Sequence, residues 1–245
     1  MTTIILQARL DSQRLPGKSL LLLGGRPLVF RVMEALNHFK ADLRILACPE
    51  DCVAAFGPLA EEAGFELVPG PKEDVLARYC IAIRKFKPSR VIRATGDNPF
   101  VFIDAAEALN REACGLGADY ACFAGIPHGS GVESINSEAL LRAEREAESA
   151  PEREHVCPYL YTHPELFLLH RPLAPVPWQN LALRLTVDIP EDFRRAEALY
   201  QALTGAWGGK EDRFLGETVI KAYRELLGKP AGPVPFTAAK LERLP

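Results

Sequence analysis

Short apolar runs alternate with amphipathic helical patterns through the first half of this chain, and that alternation restricts the fold more than any other feature. Ile4–Ala8 reads as a strand, and Pro27–Phe39 as a helix with proline in its first turn. Leu43–Cys48 reads as a strand, and Glu50–Ala63 as a helix stopped by Gly64. Phe65–Val68 and Arg90–Thr95 are further strands, and Glu73–Phe86 and Ile103–Leu116 further helices. In Glu73–Phe86 the residues Val75, Leu76, Tyr79, Cys80, Ile83 and Phe86 share one stripe. This order predicts an α/β fold in which helices cover both faces of a mostly parallel sheet.

The second half is less regular. Asp119–Phe123 and Val132–Asn136 read as strands on either side of a Gly/Pro/His loop, Gly125 to Gly131. Ser137–Glu148 and Glu152–Thr162 read as helices, Glu165–His170 and Leu183–Val187 as strands, and Glu191–Leu203 and Lys210–Leu227 as helices. Beyond Gly228 the periodicity fades and Pro230, Pro233 and Pro235 interrupt the chain. The reading is one domain over residues 1–228 and a tail, 229–245, loosely attached or docked on a partner.

The chain has 245 residues, 48% of them hydrophobic, enough for a substantial core. A net charge of −3 argues against a general nucleic-acid or membrane surface. No apolar run is long enough to span a bilayer. A strand begins at Ile4 and leaves no room for a signal peptide, which predicts a cytoplasmic protein. Cys48, Cys52, Cys80, Cys114, Cys122 and Cys157 form no C-x-x-C pair. They read as reduced, mostly core residues rather than zinc ligands.

Against this acidic background one basic loop stands out. Ile4-Ile5-Leu6 leads directly into a segment carrying Arg9, Arg14, Pro16, Gly17 and Lys18, with Gly24-Gly25 beyond. In open α/β sheets ligands sit at the carboxyl ends of strands, and cations there with backbone N–H groups suit phosphate. The spacing matches neither a P-loop nor the dinucleotide fingerprint. Two carboxylates, Asp97 and Asp188, each follow an apolar run and shortly precede a proline. Aspartate is common at turns and helix caps, and Asp188 could cap the helix from Glu191. As a pair beside a phosphate loop they suit Mg²⁺, which takes one or two carboxylates and fills its shell with phosphate and water.

Ala8-Arg9-x-x-Ser12-x-Arg14-Leu15-Pro16-Gly17-Lys18 resembles the opening signature of sugar-activating cytidylyltransferases, which include the CMP-3-deoxy-octulosonate and CMP-acylneuraminate synthetases. Further segments resemble the branch of spore coat polysaccharide biosynthesis protein F. They are Glu73-Asp74-Val75-Leu76-Ala77-Arg78-Tyr79, Thr95-Gly96-Asp97-Asn98-Pro99, Gly129-x-Gly131-Val132-Glu133, Arg153-Glu154-His155-Val156 and Leu185-Thr186-Val187-Asp188-x-Pro190-Glu191-Asp192. The likeness spans roughly residues 3–200, in order.

The resemblance implies a Rossmann-like sheet of the nucleotide-diphospho-sugar transferase type with a small inserted lobe. It implies a cytidylyltransferase that joins CTP to a sugar or sugar acid with Mg²⁺, giving a CMP-sugar and pyrophosphate for surface polysaccharide. By matched position, Ala8, Arg9, Ser12, Arg14, Lys18, Arg78 and Asp97 lie at the nucleotide, and Arg9, Lys18 and Asp97 carry the catalysis. Asp97 and Asp188 hold the metal. Relatives are often homodimers. The motif around Arg153 and His155 belongs to the spore-coat-like branch, so the identity of the sugar does not carry over. His128, Glu133, Arg153 and His155 are the polar residues expected on the sugar side, with residues 125–135 and 152–156 forming one wall facing Asp97. His38, His163 and His170 read as structural. The competing readings are a nucleotide-sugar-dependent glycosyltransferase, though no D-x-D follows a strand, and a non-catalytic nucleotide-binding protein.

Overall fold

At the centre of strand β1 (Thr2–Gln7), Ile4, Ile5 and Leu6 have no exposed surface, and the sheet grows outward from both edges of that strand. The computed structural model describes residues 1–206 and 211–228. After β1 the chain makes the basic loop and a small hairpin of β2 (Leu22–Leu23) and β3 (Arg26–Pro27), then helix α1 (Leu28–Leu36). The alternation continues through β4 (Leu43–Pro49), α2 (Val53–Ala63), β5 (Glu66–Gly70), α3 (Val75–Phe86), β6 (Arg90–Thr95) and α4 (Ile103–Leu116). Then come β7 (Tyr120–Ala121), β8 (Glu133–Asn136), α5 (Ser137–Glu146), α6 (Ala150–His155), α7 (Pro158–Thr162) and β9 (Leu169–His170). Helices α8 (Pro190–Ala206) and α9 (Gly216–Leu227) close the described chain.

The seven-stranded sheet runs β5-β4-β1-β6-β8-β7-β9. β5, β4, β1 and β6 are mutually parallel, as the alternation predicts. β8 runs antiparallel to both β6 and β7. Residues of β1 alternate between two cores. Ile4 and Leu6 pack on the side of α1, α2, α4, α8 and α9, and Ile5 packs on the side of α3, α5 and α7. A strand buried on both faces reads as a continuous apolar run, which is how Ile4-Ile5-Leu6 was recognisable.

Several sequence expectations need correction. The Glu152–Thr162 helix is two short helices, α6 and α7, because Val156 is buried with φ of 73° and breaks the helical path. Leu183–Val187 forms no strand; it is tied to the preceding loop by His128, whose N–H donates to the Leu183 carbonyl at 3.2 Å and whose carbonyl accepts the Leu185 N–H at 2.7 Å. Of the expected Lys210–Leu227 helix, Lys210 lies outside the described residues, and the rest is a 3₁₀ turn, Glu211–Phe214, followed by α9. The strands expected over Asp119–Phe123 and Glu165–His170 shrink to two residues each. Helix α3 begins at Val75, because the Asp74 side chain accepts the Ala77 N–H at 2.9 Å and caps it. Trp207 and the expected tail, 229–245, lie outside the described residues.

Two glycines let separate segments meet. A Cβ on Gly96 would stand 2.8 Å from the Ala8 Cβ, so only glycine lets the end of β6 press against the end of β1. Gly129 has φ of +90°, and its Cβ would stand 2.4 Å from the Thr186 nitrogen. Gly129→Ala should therefore destabilise the protein by more than about 1 kcal/mol. Gly115→Ala, in helix α4 with no heavy atom near the new Cβ, should be neutral or stabilising. Urea unfolding of the two variants beside the parent protein checks this; equal midpoints would mean that the chain relaxes freely around Gly129.

Candidate active site

A cleft of about 580 Å³ opens at the carboxyl ends of β1 and β6. The basic loop forms one side. Leu15 is buried and anchors the loop, the Gly17 N–H bonds the Leu10 carbonyl at 3.1 Å, and Gly17 takes a left-handed conformation that returns Lys18 to the cleft. The Ser19 hydroxyl donates to the Arg9 carbonyl at 2.8 Å and fixes the loop's other limb. Ala8, Arg9, Ser12, Arg14 and Lys18 all line the cleft.

Asp97 and Asp188 converge there although 91 positions separate them in sequence. A backbone bond joins them: the Val187 N–H donates to the Asp97 carbonyl at 2.9 Å. The Lys18 ammonium lies between the two carboxylates, 2.7 Å from Asp97 Oδ2 and 3.0 Å from Asp188 Oδ1, and also donates to the Val187 carbonyl at 3.0 Å. Arg14 reaches Asp188 Oδ1 at 3.0 Å, and Arg184 pairs with its other oxygen. Asp188 is therefore no helix cap. That work falls to Asp192, whose carboxylate accepts the N–H groups of Asp188 at 3.0 Å and Ile189 at 3.2 Å while pairing with Arg195.

Burial pushes the Asp188 carboxyl up, but the Lys18 ammonium and the guanidiniums of Arg14 and Arg184 outweigh it, holding the group below its ordinary range. Burial likewise raises Asp192, and the Asp188 N–H and Arg195 more than offset it. Two carboxylates closing on one cation form part of an oxygen shell, which fits a divalent ion completed by phosphate oxygens and water. Among the described residues no group of three or more His, Cys, Asp or Glu could hold a metal, so any such ion needs those outside donors.

The other side of the cleft comes from α3 and α6. Arg78 is 1% exposed and lines the cleft, yet its Nε and Nη1 have no hydrogen-bond partner among the described residues. Burial lowers its pKa. An uncompensated guanidinium of this kind is costly to keep, and an incoming acceptor group would satisfy it. Gln7 Oε1 and Asn98 Oδ1, also on the lining, are buried and unpartnered too. His128 and His155 line the cleft, as does Glu154, which lies 3.7 Å from Arg9.

Glu133 and Arg153 are absent from the lining, so the expected wall of residues 125–135 and 152–156 is only partly assembled. Arg153 is occupied in holding helices together: it pairs with Asp74 at 2.6 Å and donates to the carbonyls of Glu144 and Ala147. Glu133 is bonded by Arg93 and by the Tyr120 hydroxyl. The sequence reading missed Gln7, Arg93, Thr95 and Thr186, all on the lining, while Glu154 belongs to the expected 152–156 wall. Arg93 had a usable signal, a charge in the middle of the buried strand Val91-Ile92-Arg93-Ala94. His38 stacks on Phe214, His163 bonds the Tyr159 carbonyl and His170 bonds Glu112, all away from the cleft.

A sequence model of the cytidylyltransferase family matches residues 3–211. Spore coat polysaccharide biosynthesis protein SpsF of Bacillus subtilis (strain 168) is 34% identical over 204 residues, which cover 80% of this chain and 85% of that protein. A solved cytidylyltransferase from Leptospira borgpetersenii serovar Hardjo-bovis (strain JB197) superposes with a TM-score of 0.83 at 20% identity, covering 93% of this chain and 95% of its own. A CMP:2-keto-3-deoxy-manno-octonic acid synthetase complexed with CTP gives a TM-score of 0.63 at 18% identity, covering 81% and 97%. At these identities the two superpositions establish the fold.

The lowered carboxyls set an acid limit on stability. A carboxyl depressed in the folded state stabilises it above the unfolded pKa of about 4, and that contribution is lost as pH falls through the lower folded value. Asp192→Ala should cost about 1–3 kcal/mol at pH 7. The gap between parent and variant should narrow towards pH 3. Urea unfolding at stepped pH measures it; a gap independent of pH would mean that Asp192 acts through packing alone.

Proposed function

This chain belongs to the cytidylyltransferase family, and we propose that it activates a sugar or sugar acid with CTP, giving a CMP-sugar and pyrophosphate for assembly of a surface polysaccharide. The observation that carries the reading is the Lys18 ammonium bridging Asp97 and Asp188 inside the cationic loop. It brings together a phosphate-binding cation and two metal-binding carboxylates, the parts that nucleotidyl transfer needs.

In the proposed reaction an oxygen of the sugar attacks the α-phosphorus of CTP and the bond to pyrophosphate breaks. Arg9, Arg14 and Lys18 hold the β- and γ-phosphates and stabilise the charge gathering on the departing pyrophosphate. Arginine supplies a two-pronged fork, and Lys18 a compact charge on a flexible stem. Ala8 brings the end of β1 against the nucleotide, Ser12 adds a hydroxyl from the loop, and Arg78 gives its unpartnered N–H groups to the nucleotide. Asp97 and Asp188 would hold Mg²⁺, whose chemistry there is to polarise the α-phosphoryl oxygens. His128 and His155 face the sugar.

Lys18 cannot grip phosphate and both carboxylates at once, so binding requires an exchange. In the arrangement described, Lys18, Arg14 and Arg184 neutralise the aspartates. A nucleotide that draws Lys18 to its phosphates uncovers the carboxylates for a divalent cation. On this reading Lys18→Met should bind Mn²⁺ without nucleotide about tenfold more tightly than the parent protein, while losing CTP affinity. Calorimetry with Mn²⁺ alone and with CTP alone separates the two effects. Unchanged Mn²⁺ affinity would place the metal elsewhere.

The decisive assay is pyrophosphate release with each of the four nucleoside triphosphates, a panel of sugars and sugar acids, and added or chelated Mg²⁺. The expected outcome is release from CTP only, dependent on a sugar and abolished by chelation. Asp97→Asn should lower turnover at least about a hundredfold with its urea midpoint little changed, because an amide keeps the volume but loses the charge that holds the cation. A variant with ordinary metal-dependent turnover would refute the assignment of Asp97.

A further inference from the structure

One guanidinium on the cleft's lining takes no part in the chemistry above. Arg93 projects from β6 on the face that α3 covers, beside Tyr79, with its side chain 15% exposed. Its backbone stands opposite Glu133 in the antiparallel register of β6 and β8, so the fold itself brings the two side chains together. Arg93 Nη1 donates to Glu133 Oε2, and Glu133 Oε1 accepts the Tyr120 hydroxyl at 2.6 Å. Both carboxylate oxygens are thereby used, and the guanidinium is fixed along one edge. Arg93 Nε, on the other edge, is buried and has no partner among the described residues, while the side chain itself forms part of the cleft lining.

Ion-paired Arg26, Arg195 and Arg213 also keep a buried Nε without a partner among the described residues, and what sets Arg93 apart from them is its place on the cleft lining. The charge balance points the same way. Arg78 and Arg93 both line the cleft from the side of α3, and Glu133 can neutralise only one of them. A hydroxyl would take one N–H from such a group, whereas a carboxylate or phosphate offers oxygens spaced for the planar fork and supplies the missing negative charge.

We propose that Arg93 is a specificity-determining residue for the sugar, its guanidinium receiving an oxyanion, carboxylate or phosphate, that the sugar carries. Glu133 and Tyr120 are positioning residues that hold the guanidinium in plane. The inference rests on the reading of the cleft as a site of sugar activation.

The test uses the full-length protein and matched pairs of probes: sugar acids with their carboxyl-reduced alcohols, and sugar phosphates with their dephosphorylated sugars. Binding of each probe to the CMP-loaded protein is followed by calorimetry, and pyrophosphate release from CTP is measured in parallel. The parent protein should bind the anionic member of one pair and reject its neutral partner; which pair responds tells carboxylate from phosphate. Arg93→Gln should raise the KM for that sugar about tenfold to a hundredfold with kcat and CTP affinity nearly unchanged. Arg93→Lys should recover only part of the loss, because charge returns without the fork. Tyr120→Phe should raise KM a few-fold through a looser Glu133, again with kcat unmoved. The assignment is overturned if no anionic probe binds the parent protein, if neutral and anionic partners bind alike, or if Arg93→Gln leaves KM unchanged or lowers CTP affinity to the same extent. Failure of the parent protein to bind CTP at all would instead strike the reading of the cleft.

Discussion

Pairing of β1 along both edges underlies the arrangement of the cleft. Ile4, Ile5 and Leu6 hydrogen-bond into β4 on one side and β6 on the other, with no surface left to water. Such a strand cannot slip, because a shift of one residue would exchange its two buried faces. Its carboxyl end therefore delivers Gln7, Ala8 and Arg9 to a fixed point, and β6 delivers Thr95, Gly96 and Asp97 beside them. The absence of a side chain at Gly96 lets these ends touch. The cleft is a consequence of register, and the loops only furnish it.

The furnishing is electrostatic and largely self-compensating. Arg9 lies near Asp11 and Glu154, Lys18 bridges Asp97 and Asp188, Arg14 and Arg184 add to Asp188, and Arg93 pairs with Glu133. Buried charges are tolerated when paired and satisfied, and the same pairs can exchange partners when a charged ligand enters. Arg78 departs from this pattern, being almost fully buried without a carboxylate contact among the described residues. Buried groups without a partner among the described residues include Arg78, Arg93, Gln7 and Asn98 on the cleft lining, where a ligand would complete them, and others away from it, such as Thr3 and Ser137. The fold bears that cost elsewhere, in apolar cores on both faces of the sheet.

Much of this was legible in the order of residues. Strands and helices up to Leu116 follow local periodicity, and Arg90–Thr95 and Ile103–Leu116 have the bounds that pattern indicates. The basic loop and the two strand-end aspartates were visible because apolar runs lead straight into them. The second half was harder to read. Its strands are two to four residues long, too short for a period to register, and Val156 interrupts a helical pattern with a backbone conformation that no valine advertises. The Leu183–Val187 run is apolar because it is buried in the core, and it pairs through isolated loop bonds in place of a ladder.

By itself the sequence determined the α/β class, the parallel half of the sheet and most of the charged groups at the cleft, Arg93 excepted, since these depend on patterns within a few residues. Tertiary structure decided how those groups are used. Arg153 and Glu133 have the chemistry of ligand-binding residues, but Asp74 lies against the first and Arg93 and Tyr120 against the second. Arg93 has the appearance of an intrusion into an apolar strand until β8 supplies its counter-charge and the side chain joins the cleft lining. The meeting of Asp97 with Asp188 needs the Val187–Asp97 backbone bond and the close approach of Gly129 to Thr186. Side-chain type is a local property, whereas the partner that satisfies a charge is set by which distant segments the register brings within about 3 Å of it.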